Sequence, residues 1–202
     1  MAITYRPIAE AEIPVVADVQ ARTYRANAER YVAAYRGENS RFDWRHQRVL
    51  DAGAAEPVAA LTVFQRPMSL NGGELSAGLV ASVAVPPEQR RRGYGHQLVP
   101  RLLAEHHAQS LPVSLLFPFS VGWYRTLGYG LANANWYLEL PPRLLCDTAE
   151  RTLVRRAGPD DEAGMRACYE CARLRPGNNG WLGRGEWEWQ NRVWKAEHDK
   201  AV

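Results

Sequence analysis

The sequence contains little cysteine and almost no lysine. Three of its 202 residues are cysteine, and only two of its 25 basic residues, Lys195 and Lys200, are lysine. Three cysteines, two of them only three residues apart, do not form the even-numbered framework of a disulfide-rich protein. This shortage fits a reducing compartment and predicts a cytoplasmic location. We interpret the excess of arginine as coding bias and give it no mechanistic weight.

Long hydrophobic runs are also missing. No stretch approaches the ~20 apolar residues that span a bilayer, and residues 1–10 lack the basic-then-apolar order of a signal peptide. The 46% hydrophobic and 23% charged side chains exclude a disordered or fibrous chain. A net charge of +3 is too small for a protein whose main partners are nucleic acids or acidic membranes. We therefore expect a globular protein of one domain and a fraction, without either kind of partner.

Alternating strand and helix patterns predict a mixed α/β domain over residues 1–150. Strands are predicted at residues 3–8, 48–52, 58–68, 79–85, 113–117 and 134–140. Helices are predicted from residue 13, around residues 31–35, after residue 95 and at residues 122–127, and residues 38–44 are predicted to form a loop. The dipeptide Asn71-Gly72 favours a tight hairpin turn, because both residue types tolerate positive φ.

The pattern begins again in residues 151–202. Residues 153–156 resemble a strand and residues 165–174 a helix, which predicts the start of a second domain of the same kind, or a C-terminal extension. Four of the seven tryptophans lie here. So short a segment cannot easily bury those rings alone, so it should pack on the first domain or on another copy of the chain. A homo-oligomer is therefore one expectation.

The most informative segment runs from a predicted strand through a glycine turn into a helix. Such a turn aims unpaired N–H groups and the positive end of the helix at one point, which suits a pyrophosphate. Three successive arginines add positive charge. The candidate cofactor-binding residues are Val83, Ala84, Val85, Arg90, Arg91, Arg92, Gly93, Tyr94, Gly95 and His96.

Two common phosphate-binding motifs do not fit this segment. A nucleotide-hydrolase loop requires Gly-Lys followed by Ser or Thr, and these residues do not follow. A dinucleotide fingerprint requires a third glycine, where Gln97 and Leu98 stand instead.

The segment resembles the acetyl-coenzyme A (acetyl-CoA) binding motif of the GNAT N-acetyltransferases. The resemblance is carried by Arg90-Arg91-Arg92-Gly93-Tyr94-Gly95 after Val83-Ala84-Val85, and by Trp123-Tyr124-Arg125-Thr126-Leu127-Gly128-Tyr129. It implies a splayed central mixed sheet whose slot takes the pantetheine chain. It further implies that Val83 and Val85 bind the pantetheine amides, that the N–H groups of residues 91–96 bind the pyrophosphate, and that Tyr124 is catalytic.

A narrower resemblance is to the enhanced intracellular survival (Eis) type of acetyltransferase. It is carried by the Asn71-Gly72 hairpin, the triple arginine, Phe117-Pro118-Phe119-Ser120 and the restart near residue 153. Those proteins contain two GNAT-like domains and a sterol-carrier-like domain, and the carboxylate at their chain end serves as the base. Val202 is not assigned that role. Glu74, Asp43 and His46 are substitutes by residue type, and spacing favours none of them.

The resemblance implies direct acetyl transfer to a primary amine, with Tyr124 donating a hydrogen bond to the departing thiolate. A phenol of pKa ~10 and a thiol of pKa ~8.5 make complete proton transfer uphill by about 2 kcal/mol, which favours late transfer. Small molecules such as polyamines or aminoglycosides are the expected acceptors. The alternatives are a protein lysine, a noncatalytic acyl-CoA-binding or assembly module, and a nucleotide-binding regulator.

Other residues have two interpretations each. Phe117, Phe119 and Trp123 either line an acceptor pocket or pack in the core. Cys168 and Cys171 are predicted to be buried thiols, because no second cysteine pair or nearby histidine completes a metal site. His106 and His107 project about 100° apart on a helix and cannot bind one ion from one face, so the sequence predicts no metal.

Overall fold

A mixed sheet forms the centre of the structure, which is a computed structural model describing residues 3–37, 43–134, 137–144 and 149–194. In sheet order its described strands are β1 (Thr4–Pro7), β2 (Gln47–Asp51), β3 (Ala59–Leu70), β4 (Gly73–Ala84) and β5 (Val113–Leu116). The pairs from β1 to β4 are antiparallel, and β5 runs parallel to β4. The predicted mixed α/β fold class is confirmed.

Helices cover both faces of the sheet. They are α1 (Ile13–Tyr24), α2 (Ala28–Tyr35), α3 (Tyr94–Ala108), α4 (Val121–Arg125), α5 (Glu162–Arg173) and α6 (Glu186–Glu188), with a π-helical turn at Trp189–Trp194. Short 3-10 turns lie at Glu10–Glu12, Trp44–His46, Pro87–Gln89, Pro142–Leu144, Ala149–Leu153 and Pro159–Asp161. Val16 and Tyr35 pack α1 and α2 on one face of the sheet, and Leu98 and Leu102 pack α3 on the other. Among the described residues, no helix combines the length and apolar character needed to cross a membrane.

The β3–β4 hairpin turns at Asn71 and Gly72, whose φ angles of 50° and 78° confirm the predicted tight turn. Farther along β4, the pairing passes from Thr62↔Ala81 to Ala60↔Ala84, so β4 carries one extra residue. Ser82 has a φ of 50° within this irregularity. A β-bulge of this kind bends the strand and turns its following residues.

The two parallel strands β4 and β5 separate after a short ladder. Their pairing begins at Ala77↔Val113 and ends at Val80↔Leu116, whereas β4 continues beside β3 to Ala84. The last part of β4 therefore has an edge that β5 does not cover. We call the point after Val80 the fork.

A partly buried ion pair and a hydrogen bond, both to Glu105, join α3 to β1 and β2. The Glu105 carboxylate accepts hydrogen bonds from Arg48 at 2.7 Å and from the Tyr5 hydroxyl at 2.5 Å. Burial alone would raise the pKa of Glu105, but the hydrogen bonds from Arg48 and Tyr5 hold it below its usual value. Because charge-assisted bonds of this kind are strong, they fix α3 against β1 and β2.

The segment after residue 162 packs on the β3–β4 hairpin. The Ser69 N–H donates to the Trp181 carbonyl at 2.9 Å, and the Gly180 N–H donates to the Ser69 carbonyl at 2.9 Å. A Cβ at Gly183 would lie 2.5 Å from the Pro67 ring, so the close approach there requires glycine. This contact with the first 150 residues is one of the two that the sequence analysis expected.

Two predicted strands are wrong in the described residues. Residues 134 and 137–140 form no strand, and Tyr137 is 89% exposed; Asn135 and Trp136 lie outside the described residues, as do residues 38–42 of the predicted loop. Residues 154–156 follow a 3-10 turn, and Arg155 pairs with Asp161 at 2.5 Å. Alternating side chains favour a strand only where a neighbouring strand pairs with it, and none does here.

The prediction of buried thiols is also wrong, because Cys168 and Cys171 are exposed free thiols. Tyr169 and Arg173 mark the inward face of α5, where the Tyr169 hydroxyl donates to the Leu182 carbonyl at 2.7 Å. Cys168 and Cys171 lie about 100° and 160° around the helix from Tyr169.

His106 is a buried imidazole at the end of α3. It is 2% exposed, and neither ring nitrogen has a hydrogen-bond partner among the described residues. The ring lies so close to β4 that a Cβ at Gly78 would come within 2.4 Å of it. Burial therefore lowers the pKa of His106, and the folded state favours the neutral form.

We expect His106 to make the fold acid-sensitive. Its folded pKa lies below the unfolded value of ~6.5, so its stabilising contribution is present above that pH and is lost as the pH falls through the folded pKa. Between pH 6.5 and 5.5, urea unfolding should show a loss of stability in wild type that is absent in His106→Leu. His107→Leu, at the exposed neighbouring position, should behave like wild type. Equal pH profiles for wild type and His106→Leu would contradict this.

Candidate functional site

A cavity of about 550 Å³ lies where β4 separates from β5 and α3 begins. It is lined by Thr23, Tyr24, Val83, Val85, Gln89, Arg90, Arg91, Gly93, Tyr94, Gly95, His96, Phe119 and Trp123. We call this cavity the slot. Eight of the ten candidate cofactor-binding residues lie in its wall; the exceptions are Ala84, which is fully buried, and Arg92, which is exposed.

The loop before α3 lines one end of the slot and carries backbone N–H groups without an acceptor among the described residues. Arg91 and Gly93 have φ angles of 61° and 77°, which turn the chain sharply before the helix. The Gln97 N–H donates to the Gly93 carbonyl at 3.2 Å as the first bond of the helix. Within the described residues, the N–H groups of residues 91–96 have no acceptor. Together with the helix dipole, free donors in this arrangement are chemically suited to a phosphate group.

The three arginines take different positions around this loop. The Arg90 Nε donates to the Val85 carbonyl at 3.1 Å, which holds its guanidinium beside the end of β4. Arg91 lines the slot, and Arg92 lies outside its wall. Two of the three arginines thus bring positive charge to the same place as the free N–H groups.

Tyr24 is a slot residue that the sequence analysis did not identify. Its hydroxyl donates to the Val83 carbonyl at 2.8 Å, on the part of β4 beyond the fork. Burial raises the pKa of Tyr24 to about 12, so the phenol stays neutral and remains a donor. Its only signal in the sequence is its place in the helix that is predicted from residue 13. Thr23 and Gln89 also line the slot, and the sequence analysis did not identify them either.

The two loop glycines have different physical roles. Gly93 has a positive φ with open space around its Cα, so it is needed for its backbone conformation. Gly95 lies against the Trp123 indole, and a Cβ there would come within 2.8 Å of the Trp123 Cζ2. Gly95 therefore lets α4 pack on the first turn of α3.

Tyr124 is buried behind the slot rather than in its wall. Its ring contacts Trp123, Phe119 and Tyr129, with centroid distances of 4.7, 5.5 and 5.7 Å. Burial, with smaller effects from Tyr24 and Tyr129, raises the pKa of Tyr124 above its ordinary value. Tyr124 is thus a neutral phenol over the physiological pH range.

The three aromatic residues considered for an acceptor pocket are not equivalent. Trp123 and Phe119 line the slot, and their rings lie 5.3 Å apart. Phe117 is 88% exposed and lies outside the wall of the slot.

The positions of Glu74, Asp43 and His46 make each of them a poor candidate for the catalytic base. Glu74 lies nine residues before Val83 on β4, or about 30 Å along an extended strand, and it pairs with Arg173. The Asp43 carboxylate pairs with Arg45 at 2.6 Å. His46 accepts the Asp43 N–H on its Nδ1 at 2.9 Å, so neutral His46 carries its proton on Nε2. In the part of the chain that the structure describes, no cluster of three His, Cys, Asp or Glu side chains could hold a metal ion.

A double-mutant cycle tests the packing of Trp123 on Gly95. Gly95→Ala should cost about 1–3 kcal/mol of unfolding free energy in wild type, because the methyl group overlaps the indole. In the Trp123→Ala background this cost should nearly vanish. Gly93→Ala, whose cost of about 1 kcal/mol comes from its positive φ, should be unaffected by Trp123→Ala. Additive costs for Gly95→Ala and Trp123→Ala in urea unfolding would exclude the contact.

Solved structures with this fold include longer proteins. A GCN5-related N-acetyltransferase from Anabaena variabilis is 18% identical with a TM-score of 0.69, over 94% of this chain and 47% of that one. One from Kribbella flavida is 24% identical with a TM-score of 0.52, over 63% of this chain and 32% of that one. The chain thus spans between a third and a half of these two proteins. A GNAT acetyltransferase from Brucella melitensis, in complex with acetyl-CoA, is 18% identical with a TM-score of 0.52, over 64% of this chain and 84% of that one.

A family model gives a sharper result than these structures. The model described as an acetyltransferase (GNAT) domain matches residues 4–132, which include all five strands described above, the slot and Tyr124. The comparison with curated proteins gave no match. Since the model matches more than half of the chain, the chain belongs to the GNAT acetyltransferase family.

Proposed function

We propose that the chain transfers the acetyl group of acetyl-CoA directly to a primary amine of a small molecule. The observation that carries this proposal is the slot beyond the fork. One end of the slot is lined by Arg91, Gly93, Tyr94, Gly95 and His96, whose N–H groups are free among the described residues, and by Arg90, and its wall includes Val83 on the uncovered edge of β4. A long ligand with a pyrophosphate at one end and amides in its chain matches this sequence of donors and acceptors.

Different residues of the slot would bind different parts of acetyl-CoA. The N–H groups of residues 91–96, with Arg91, would hold the pyrophosphate, and Arg90 would lie beside it. Val83 and Val85 would offer backbone groups to the pantetheine amides, as a neighbouring strand does. The Val83 carbonyl has two lone pairs, so it can accept an amide N–H while Tyr24 donates to it.

Tyr124 would act as a hydrogen-bond donor to the departing sulfur. Its raised pKa keeps the phenol protonated, which suits a donor and excludes a role as base near neutral pH. The acceptor amine must lose its proton before it attacks the thioester carbonyl. Glu74 is remote from the slot, and Asp43 and His46 are hydrogen-bonded to neighbouring residues. A pocket that lowers the pKa of the bound amine would remove its proton without a dedicated base.

The finer assignments belong to the same proposal. An Eis-like type is supported by the hairpin, the arginine loop and the packing of residues 162–194 on the hairpin. Residues 1–150 would form the catalytic domain and residues 151–202 the start of a second one. Polyamines and aminoglycosides are the acceptor classes that this resemblance implies. The exposed thiols of Cys168 and Cys171, unpaired with each other, support a cytoplasmic location.

A noncatalytic acyl-CoA-binding module is the second candidate. The observation that favours it is the engagement of Asp43 and His46 with their neighbours and the remoteness of Glu74. Such a module would keep the slot and would require no base.

Thiol release from acetyl-CoA with an amine panel tests the proposal. Tyr124→Phe should lower kcat by about tenfold or more, because the departing sulfur loses its hydrogen-bond donor. Tyr129→Phe is the matched control, since the Tyr129 hydroxyl pairs with Ser114 at 2.7 Å, and it should retain most of the activity.

The other outcomes separate the alternatives. Unchanged turnover of Tyr124→Phe at every pH would remove the role of Tyr124. Calorimetric binding of acetyl-CoA without thiol release on any amine would favour the noncatalytic module. A preference for ATP over CoA would favour a nucleotide-binding regulator.

A further inference from the structure

A second cavity, of about 220 Å³, lies between the sheet and the C-terminal segment. It is lined by Phe64, Arg66, Leu79, Tyr169, Leu182, Gly183, Arg184, Glu188, Arg192 and Val193. We call it the arginine cavity. Its walls come from β3 and β4 on one side and from α5 and the segment after it on the other.

The arginine cavity lies beside the fork. Leu79 directly precedes Val80, the last β4 residue that pairs with β5. Val63 and Val80 pack on α3, so their neighbours Phe64 and Leu79 face the opposite side of the sheet. At about 3.3 Å per strand residue, the Leu79 wall is about 7 Å from Ala81, where the uncovered edge of β4 begins. The slot residues on this side begin at Val83, about 13 Å from Leu79, so a small molecule in the cavity that extends along β4 reaches the fork before it reaches the slot.

The charge of the cavity is positive. Glu188 is the single carboxylate among the lining residues, and it pairs with Arg66 at 3.4 Å. Its negative charge therefore offsets the charge of one of the three arginines. Arg184 and Arg192 form no ion pair among the residues that the structure describes. Two guanidinium groups are thus left for a ligand.

Aromatic rings hold these two guanidinium groups. The Arg184 guanidinium carbon lies 3.9 Å from the Tyr169 ring centroid and 5.3 Å from that of Trp189, and the Arg192 carbon lies 5.9 Å from that of Trp187. At 3.9 Å, Tyr169 lies close enough to stack on the Arg184 guanidinium and leave its edge N–H groups free to donate in a fork. Arg192 is exposed and lies at the outer limit of cation–π range from Trp187. A carboxylate or phosphate oxygen pair matches that fork.

We infer that the arginine cavity is the acceptor subsite and that it takes an amine that also carries an acidic group. This inference rests on the proposed acetyl transfer and changes its acceptor class, from the polyamines and aminoglycosides that the resemblance implies to amines that also carry an acid. The acid would pair with Arg184 and Arg192 while the amine reaches the fork. A polycation would instead place its second amine beside two uncompensated arginines, which repel it.

Two acceptors of equal chain length test this preference. δ-Aminovalerate carries an acid where cadaverine carries a second amine. In wild type we expect kcat/KM to be about tenfold or more higher for δ-aminovalerate, with spermidine no better than cadaverine. Arg184→Gln and Arg192→Gln should raise KM for δ-aminovalerate about tenfold with little change in kcat, and should not raise it for cadaverine.

Two further variants test whether the change in KM depends on the position of the arginine and on the planar shape of its guanidinium. Arg175→Gln removes an exposed arginine of the same segment that lines neither cavity, and it should change nothing. Arg184→Lys keeps the charge but loses the planar fork, so its KM for δ-aminovalerate should lie between those of wild type and Arg184→Gln. Urea unfolding of each variant checks that the fold is intact.

A binding measurement separates this inference from the proposed function. δ-Aminovalerate binding to the CoA-loaded chain is followed by saturation-transfer NMR in wild type and Arg184→Gln. Binding that Arg184→Gln abolishes, without turnover of any amine, would support the cavity as an anion site and overturn acetyl transfer. Turnover of cadaverine that exceeds that of δ-aminovalerate and is unchanged in the arginine variants would overturn the subsite and leave acetyl transfer standing. Absence of both binding and turnover would overturn both.

Discussion

The short parallel ladder between β4 and β5 is the constraint on which the candidate site depends. Parallel pairing ends at Val80, while antiparallel pairing holds β4 to β3 as far as Ala84. The end of β4 is thus fixed on one side and open on the other. The bulge at Ser82 adds a turn in the strand at the same point. A rigid strand with an unused edge results, and α3 begins at its far end.

Aromatic packing then sets the opposite wall. Trp123 of α4 rests on Gly95 of α3, and Tyr124 is held behind it by ring contacts. The loop before α3 and the position of Tyr124 are therefore coupled through one contact, between Trp123 and Gly95. On the other side of the sheet, the C-terminal segment closes the arginine cavity against Phe64 and Leu79. Both cavities adjoin the fork from different directions.

Local signals made much of this predictable from sequence. The Asn71-Gly72 turn, the strand predicted at residues 79–85 and the glycine loop before α3 each specify their own conformation over a few residues. Sequence patterns whose structure depends on a distant part of the chain gave wrong predictions or none. A strand was predicted at residues 134–140, but no neighbouring strand pairs with its described residues. The slot position of Tyr24 and the grouping of Arg66 with Arg184 depend on tertiary packing, which no local pattern carries.

The scarcity of lysine has a chemical consequence. Within the described residues, the ion pairs are made by arginine or histidine, as at Arg6, Arg48 and Arg173, and both lysines lie in the part after residue 194. A guanidinium stays protonated at any physiological pH and is not an amine nucleophile. A thioester bound beside such a surface meets almost no ammonium group that could become acylated. Under the proposed activity, the protein would not consume its own cosubstrate or neutralise the charges that hold its fold together.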